Sequence, residues 1–407
     1  MAPLDSDPVF GFDPYGFAAT HLSATARATL ERLQATLERD VAPLLDDAWE
    51  TATMPAAILD ALIPLDLMRP DGMDAAEADS SMFTGFRNFV LARTDTSVAT
   101  LYNAQSGLFR TTVRLGGSPE QVAELDPRIA AFDLKGTFAL TEPEHGSDVA
   151  GGMATTARRD GGDWIIDGAK RWIGGAVTAD VLAVFARDTD DGQVKVFLVP
   201  TSAPGVGLQT IGGKIALRPM QNSHITLADV RVPESARLQG VDTWRDVSRI
   251  LRNMRSDVGW IATGLQAGVL DATLRYVRER QQFGRPVGGF QLVQEKLARM
   301  LGNLTASLGM VVQLSMRQDG RTAQLDDPSP EPLFADENSA LAKMWTSLRA
   351  RETVGLGREV LGGNGILLEH GAARFFADAE AVYSYEGTHE INSLIVGRAL
   401  TGTSAFV

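Results

Sequence analysis

Phe138-Ala139-Leu140-Thr141-Glu142-Pro143-Glu144-His145-Gly146-Ser147-Asp148 marks the point where the rhythm of the chain changes from helical to β. Upstream, from His21 to about Leu134, apolar residues recur at helical spacing. Leu30, Leu33 and Leu37 stand at i, i+3 and i+7, Thr51 to Leu67 is a second periodic stretch, and Pro64, Pro70 and Gly72 then turn the chain. Downstream, Asp163-Trp164-Ile165-Ile166 follows the turn Asp160-Gly161-Gly162. Val181 to Phe185 is short and wholly apolar, Asp190-Asp191-Gly192 turns into Val194 to Val199, and His224 to Val232 is again β-rich. Strands this close leave no room for intervening helices, which predicts an antiparallel β-domain and not a βαβ sheet. From Asp242 the helical spacing returns: Leu297, Leu301, Leu304, Leu308, Val311 and Val312 share one helix face. Asp326 to Pro332, with three prolines, breaks that helix, and Ala340 to Val360 and Ala372 to Ala399 supply more. The fold class is α+β, with an N-terminal α-helical domain over 1–135, a middle β-domain over 136–240 and a C-terminal helical bundle over 241–407.

Composition removes several function classes. The chain has 407 residues, 44% of them apolar, which is ordinary for a folded protein with a large core. A net charge of −13 with no basic run argues against nucleic acid. The absence of cysteine excludes disulfides, thiolate catalysis and Cys-based metal sites, and five scattered histidines give no ligand spacing, so no metal is expected. Met1 to Phe17 has no basic start and no apolar stretch, no run of 18 apolar residues occurs, and Ala405-Phe406-Val407 is not a peroxisomal tripeptide. The expectation is a soluble cytoplasmic protein without a membrane segment.

Five motifs carry chemistry. In the opening stretch Pro143 and Gly146 force a tight loop, while Thr141 and Ser147 offer hydroxyls beside free amides, a fit for the polar edge of a planar ligand or a phosphate. Taken alone it reads more simply as a linking turn. Trp172-Ile173-Gly174-Gly175 could lay an aromatic wall against a flat cofactor, or be a core Trp before a turn. Arg280 to Gly284, followed by Gln291, sets a planar fork of donors beside Phe283 and a glycine, suited to a pyrophosphate; singly it reads as a charged helix end. Glu359-Val360-Leu361-Gly362-Gly363-Asn364-Gly365 ends a helix with an approachable backbone but lacks the dinucleotide spacing. Tyr385-Glu386-Gly387-Thr388-His389-Glu390 places a carboxylate at the start of a helix, where the dipole alone would justify it.

In this order the five motifs are far more specific than any one of them. The chain resembles the acyl-CoA dehydrogenase flavoproteins from about residue 50 to its C-terminus. It is most similar to the glutaryl-CoA dehydrogenase branch and the neighbouring short-chain acyl-CoA oxidases, on Leu140-Thr141-Glu142-Pro143, Arg280 to Gly284, Lys343 to Gly365 and Ala381 to Phe406. The resemblance implies FAD held without a covalent bond, usually in a homotetramer. It places Phe138, Leu140, Thr141, Gly146 and Ser147 on the isoalloxazine and ribityl chain, and Trp172, Ile173 and Gly174 behind the ring. Arg280, Phe283 and Gln291 fall on the pyrophosphate and adenosine of a neighbouring subunit's FAD, Glu359, Val360, Gly362 and Gly363 on the same adenine side, and Thr388 and Glu390 on the near FAD.

By the same resemblance Glu386 is the catalytic base. It takes the α-proton of an acyl-CoA while the β-hydrogen leaves as hydride for the flavin, giving a trans-2-enoyl-CoA. Ala99, Thr100, Ser147, Leu251, Arg255, Tyr385 and Gly387 fall on the substrate. Arg255 has a simpler reading as a surface arginine paired with Asp246 or Asp257. Ala99 stands where glutaryl-CoA dehydrogenases carry an arginine for the distal carboxylate, which disfavours glutaryl substrates and points to a short or branched acyl chain. The implied acceptor is an electron-transfer flavoprotein. The alternatives are an oxidase of the same fold, reoxidised by O₂, and an inactive binding subunit.

Overall fold

Polar caps decide where the first long helices begin. Ser23 accepts from the Ala26 amide to open α1 (Ala24–Thr36), and Ser80 accepts from Phe83 to open α2 (Ser81–Thr94). Asp95 ends α2 in an extended conformation and accepts from Val98 to open α3 (Thr96–Asn103), which runs on into a wide-turned segment, Ala104–Phe109. The computed structural model describes residues 6–322 and 336–405, so the expected break at Asp326–Pro332 lies outside the described residues. Leu30, Leu33 and Leu37 are fully buried, as their spacing predicts.

Seven strands form one curled sheet: β1 (Gly136–Ala139), β2 (Thr156–Asp160), β3 (Asp163–Gly174), β4 (Val181–Asp188), β5 (Val194–Pro200), β6 (Val206–Thr210) and β7 (Asn222–Pro233). Their order is β1-β4-β2-β3-β7-β6, with β5 paired to β4. The antiparallel expectation holds for β2–β3, β3–β7, β4–β5 and β6–β7, but β4 lies parallel to both β1 and β2, so the sheet is mixed. A parallel pair needs a long crossover, and here the β2–β3 hairpin supplies the chain between β1 and β4 that a helix supplies elsewhere. Central β4, read as a buried strand, has Val181 to Ala186 enclosed.

The C-terminal helices are α4 (Trp244–Glu279), α5 (Gln291–Thr322), α6 (Asp336–Val360), α7 (Ala372–Ser384) and α8 (His389–Thr401). Thr243 and Asp246 form a reciprocal capping box that starts α4. At about 1.5 Å per residue α4 is about 54 Å long, and it packs on α2, α5, α6 and α7. On α5 the predicted stripe is real: Leu304, Leu308, Val311 and Val312 are buried. No helix among the described residues is long and apolar enough to cross a membrane, and those residues contain no group of three acidic or histidine side chains that could hold a metal ion.

Two glycines let α4 press against α2. A Cβ added at Gly264 would lie 2.3 Å from the Phe89 carbonyl oxygen, and one at Gly268 would lie 2.4 Å from that of Arg93. Backbone cannot rotate out of the way, so the close approach requires glycine. Gly264→Ala is expected to lose about 1–3 kcal/mol by overpacking, whereas Gly302→Ala, with open space around the site, is expected to gain about 0.5–1 kcal/mol from helix propensity. Denaturant unfolding of the two variants checks the pair.

Candidate active site

The turn between α7 and α8 is built to hold one carboxyl group in a fixed place. Glu386 has φ 52 and Gly387 φ 91. A left-handed conformation on a residue with a Cβ costs roughly 1–2 kcal/mol, so the surroundings must impose it. Two side chains do. Lys343, on α6, donates from Nζ to the carbonyls of Tyr383 (2.9 Å) and Gly387 (2.7 Å), one on each side of Glu386. Asn392 donates from Nδ2 to the carbonyls of Gly387 (2.9 Å) and Thr388 (3.0 Å). Thr388 caps α8 by accepting from the Ile391 amide.

Glu386 itself is left free. Its Oε2 has no hydrogen-bond partner. Burial pushes its pKa up to about 8, the charge of Asp257 adds to the rise, and the cations Lys343 and Arg255 oppose it. Lys343 is pushed down to about 8 by burial, against the pull of Glu386 and Glu390. Tyr385 is raised by burial first and by the charge of Glu386 second, and its hydroxyl lies 3.4 Å from Thr100 Oγ1. Arg255 is held by Asp336 at 2.6 Å and not by Asp246 or Asp257. It shares a face of α4 with half-buried Leu251, four residues earlier. Ala99 is shut into the helical core with no accessible surface. A carboxyl group in this state accepts a proton near neutral pH, where an exposed glutamate would be too weak a base.

The second wall comes from the sheet. Lys170 and Glu142 form a buried ion pair at 2.8 Å, and Glu142 also accepts from the amides of Ala154 and Thr155. The Arg171 amide donates to the Thr141 carbonyl. These bonds fix the loop after β1, in which Thr141 is half-buried and Gly146 and Ser147 are exposed, while Leu140 is buried and Phe138 packs on Phe185. An irregularity in the β3–β7 pairing between Lys170 and Ile173 leaves Trp172 at φ 66 and 52% exposed, while Ile173 is buried in the core. Gly174 fits against Met220, since an added Cβ would lie 2.0 Å from Met220 Cε. Met220, Leu217 and Ala104 cluster with Ala381 and Tyr385, which joins the end of β3 to the turn of Glu386. Lys214 pins the loop carrying this cluster, donating to the carbonyls of Leu217 and Met220.

The remaining sequence candidates lie elsewhere. Arg280 and exposed Phe283 follow the far end of α4, and Gln291 begins α5. Glu359 pairs with Lys296 across the adjoining ends of α6 and α5, beside Val360 and the open Gly362 and Gly363. At about 1.5 Å per residue, Arg280 is about 38 Å along α4 from Arg255, and Glu359 about 24 Å along α6 from Lys343. One chain therefore presents two separate groups. Thr388, exposed Glu390, Gly387 and Tyr385 stay with Glu386. Sequence reasoning gave no role to Lys343 or Asn392, and named Asp257 only as a surface partner for Arg255. Lys343 had a signal, because it falls on the buried stripe Ser339, Ala342, Thr346 and Ala350.

Family models of the acyl-CoA dehydrogenase middle domain and C-terminal domain match residues 137–230 and 243–401. The probable acyl-CoA dehydrogenase YngJ of Bacillus subtilis is 33% identical over 306 residues, 72% of this chain and 77% of that protein. The mitochondrial short-chain specific acyl-CoA dehydrogenase of Bos taurus is 29% identical over 88% of this chain and 86% of that one. Among solved structures, a glutaryl-CoA dehydrogenase from Mycobacterium smegmatis in complex with FADH2 superposes with a TM-score of 0.88 at 31% identity, covering 99% of this chain and 100% of that one.

Lys343→Met keeps the length of the side chain and removes both bonds to the turn. It is expected to destabilise the protein by about 1–3 kcal/mol for each carbonyl left unpaired and to move the Glu386 titration above about 8. Thermal unfolding and carboxyl-region infrared titration against Glu386→Gln check the two effects separately.

Proposed function

The chain belongs to the acyl-CoA dehydrogenase family, oxidoreductases that act on CH–CH bonds, and we propose from that premise that it dehydrogenates a short or branched acyl-CoA with Glu386 as base. The observation that supports this reading most is the state of Glu386: an unpartnered, desolvated carboxyl group on a turn pinned from both sides. The family's cofactor is FAD, and this chain has residues that fit it. The exposed indole of Trp172 and the fixed loop with Thr141, Gly146 and Ser147 offer a flat apolar face beside polar edge groups. Phe138, Leu140, Ile173 and Gly174 back those positions, and Thr388 and Glu390 stand at the start of α8 near Glu386. Bound FAD supplies the acceptor for the hydrogen that leaves the β-carbon.

The chain's own residues do the rest. Glu386 takes the α-proton onto a carboxylate oxygen, and Lys343 and Asn392 keep that oxygen aimed by holding the backbone on both sides. Lys343 and Arg255 lower the cost of the ionised base, while burial and Asp257 raise it, so the carboxylate becomes basic enough to act on a weak carbon acid. Tyr385, Thr100, Leu251 and Gly387 enclose the reacting carbons and exclude water. Ala99 offers no cation for a distal carboxylate, and burying an unpaired one would cost several kcal/mol. That disfavours glutaryl-CoA for this chain.

Arg280, Phe283, Gln291, Glu359, Val360, Gly362 and Gly363 are too far from Glu386 to share one dinucleotide with it. They hold the pyrophosphate and adenosine of FAD in a neighbouring copy, within a homotetramer. Phe283, 92% exposed in the single chain, supports a partner at that end. Electrons leave by way of an electron-transfer flavoprotein.

FAD-loaded Glu386→Gln is expected to lose at least ~10²-fold in the rate of flavin bleaching by butyryl-CoA under anaerobic conditions, with FAD content unchanged. Near wild-type bleaching by the variant would falsify the role of Glu386. Bleaching of the wild-type enzyme that survives admission of air is the expected result; immediate recolouring with peroxide release would replace the flavoprotein acceptor by O₂.

A further inference from the structure

Proton removal and cofactor contact leave one well-bonded residue of the sheet without a role: Asn222, the first residue of β7. Where β7 pairs with β3 the ladder is broken at Trp172. Lys170 faces Ile225 and Ile173 faces Ser223, so Arg171 and Trp172 together stand opposite His224. Two residues against one make a β-bulge, a device that bends a strand and re-aims a side chain. Here it puts Trp172 in the left-handed region, at φ 66, and leaves it 52% exposed. That backbone is costly for a residue with a Cβ, and a bulged residue loses its regular place in the ladder. Other groups must hold it.

Both bulge residues are tied down. The Arg171 amide donates to the Thr141 carbonyl, and Asn222 Nδ2 donates to the Trp172 carbonyl at 3.2 Å. Asn222 Oδ1 in turn accepts from Lys214 Nζ at 2.6 Å. The direction of the amide follows from chemistry: an ammonium group only donates, so the oxygen faces Lys214 and the nitrogen faces Trp172. Lys214 gives its remaining protons to the carbonyls of Leu217 (2.8 Å) and Met220 (2.5 Å). Leu217 is also left-handed, at φ 47. Its amide donates to Oδ1 of Asp378, buried on α7, at 2.5 Å, and Asp378 Oδ2 accepts from Ser97 on α3 at 3.0 Å.

A continuous chain of polar contacts therefore runs from α7, the helix that leads into the turn of Glu386, to the bulge that carries Trp172. Packing takes the same route. Leu217 and Met220 cluster with Ala381 and Tyr385, and Met220 occupies the space beside Gly174 that any side chain there would fill. The loop between β6 and β7 is thus the link between the two walls of the site, and Asn222 is where that link grips Trp172.

We propose that Asn222 is a positioning residue: it fixes the left-handed bulge so that Trp172 stands ready to receive the flavin ring, and through Lys214 and Asp378 it keeps that face in register with the turn of Glu386. The proposal rests on the FAD-dependent reading above and deepens it. Asn222 touches neither substrate nor reacting atoms and acts through Trp172. Loosening it moves the indole and leaves the bonds that hold Glu386 in place.

The test compares FAD-loaded wild-type enzyme with Asn222→Ala, Asn222→Asp and Lys214→Met, and repeats Asn222→Ala in a Trp172→Ala background. Asn222→Asp still accepts from Lys214 but cannot donate to the Trp172 carbonyl, so it keeps the loop and carries the test if Asn222→Ala does not fold. The readouts are the visible circular dichroism of the bound flavin, the rate of FAD release on dilution, and kcat, KM and pH midpoint of anaerobic bleaching by butyryl-CoA. All three single variants are expected to shift the flavin dichroism. Asn222→Ala and Asn222→Asp are expected to release FAD about 3- to 10-fold faster, the net worth of one hydrogen bond. They lower kcat while KM and the pH midpoint stay at the wild-type values. With Trp172 already removed, Asn222→Ala is expected to add nothing, because the two act as one unit. Wild-type dichroism and FAD release in Asn222→Ala or Asn222→Asp, or a loss that persists in full without Trp172, overturns the role of Asn222 and leaves the dehydrogenase reading intact. Unmoved dichroism in Lys214→Met overturns the link to α7. A wild-type enzyme that binds no FAD overturns the dehydrogenase reading, and this proposal with it.

Discussion

One buried ammonium group holds the site together. Lys343 reaches from α6 to the carbonyls of Tyr383 and Gly387, and in doing so fixes a backbone conformation that a glutamate would not adopt unaided. The same charge acts on the carboxylate it positions. Without a cation nearby, a carboxyl group this deep would stay protonated across the useful pH range; with a closer, directly paired cation it would be too weak a base. Lys343 spends its hydrogen bonds on backbone and reaches Glu386 only through its field, which leaves the carboxylate oxygen available. Asn392 and the cap at Thr388 complete the turn, but neither carries charge.

The long helix α4 extends this constraint through the molecule. It brings the charges of Arg255 and Asp257 to bear on the base, and it lies against α2 because glycines at 264 and 268 admit the backbone of that helix. Its other end carries the Arg280–Phe283 corner about 38 Å away from Arg255. On the function proposed, this rod presents reacting groups at one end and the groups proposed for the FAD pyrophosphate at the other, too far apart to serve one dinucleotide from a single chain. The length of a helix and the size of a dinucleotide thus lead to the assembly proposed for this protein. The sheet contributes the opposite wall, where the Lys170–Glu142 pair locks the loop after β1.

Much of this was legible in the residues. Helical spacing located the long helices, apolar runs and turn residues located β3, β4, β5 and β7, while Glu386, which its own motif presents only as an acid at a helix start, was picked out by the family resemblance. Other features were hidden for physical reasons. Strand pairing is settled by tertiary packing, so a hairpin acting as the crossover between parallel strands leaves no local trace, and half-exposed β6 is too short to stand out. A lysine in a helix normally points to water, and Lys343 betrays itself only by falling on a buried stripe. Asp257 read only as a surface partner for Arg255, because an acid between Met254 and Val258 looks exposed until the structure encloses it. Arg255 was readable as a charged residue near the base, but its partner Asp336 comes from a helix remote in sequence.

The central claim is that a desolvated Glu386 removes the α-proton, and its most direct test is the pH dependence of anaerobic flavin bleaching by an acyl-CoA in a stopped-flow instrument. Below its pKa Glu386 already holds a proton and cannot take another, so the rate must rise with pH as the carboxyl ionises. The expected profile is slow at pH ~5 and rises with a midpoint near 8, broadened by the neighbouring titration of Asp257 near 7. A rate already at its plateau near pH ~5, as an ordinary exposed glutamate would give, or one that falls as pH rises, would contradict the account.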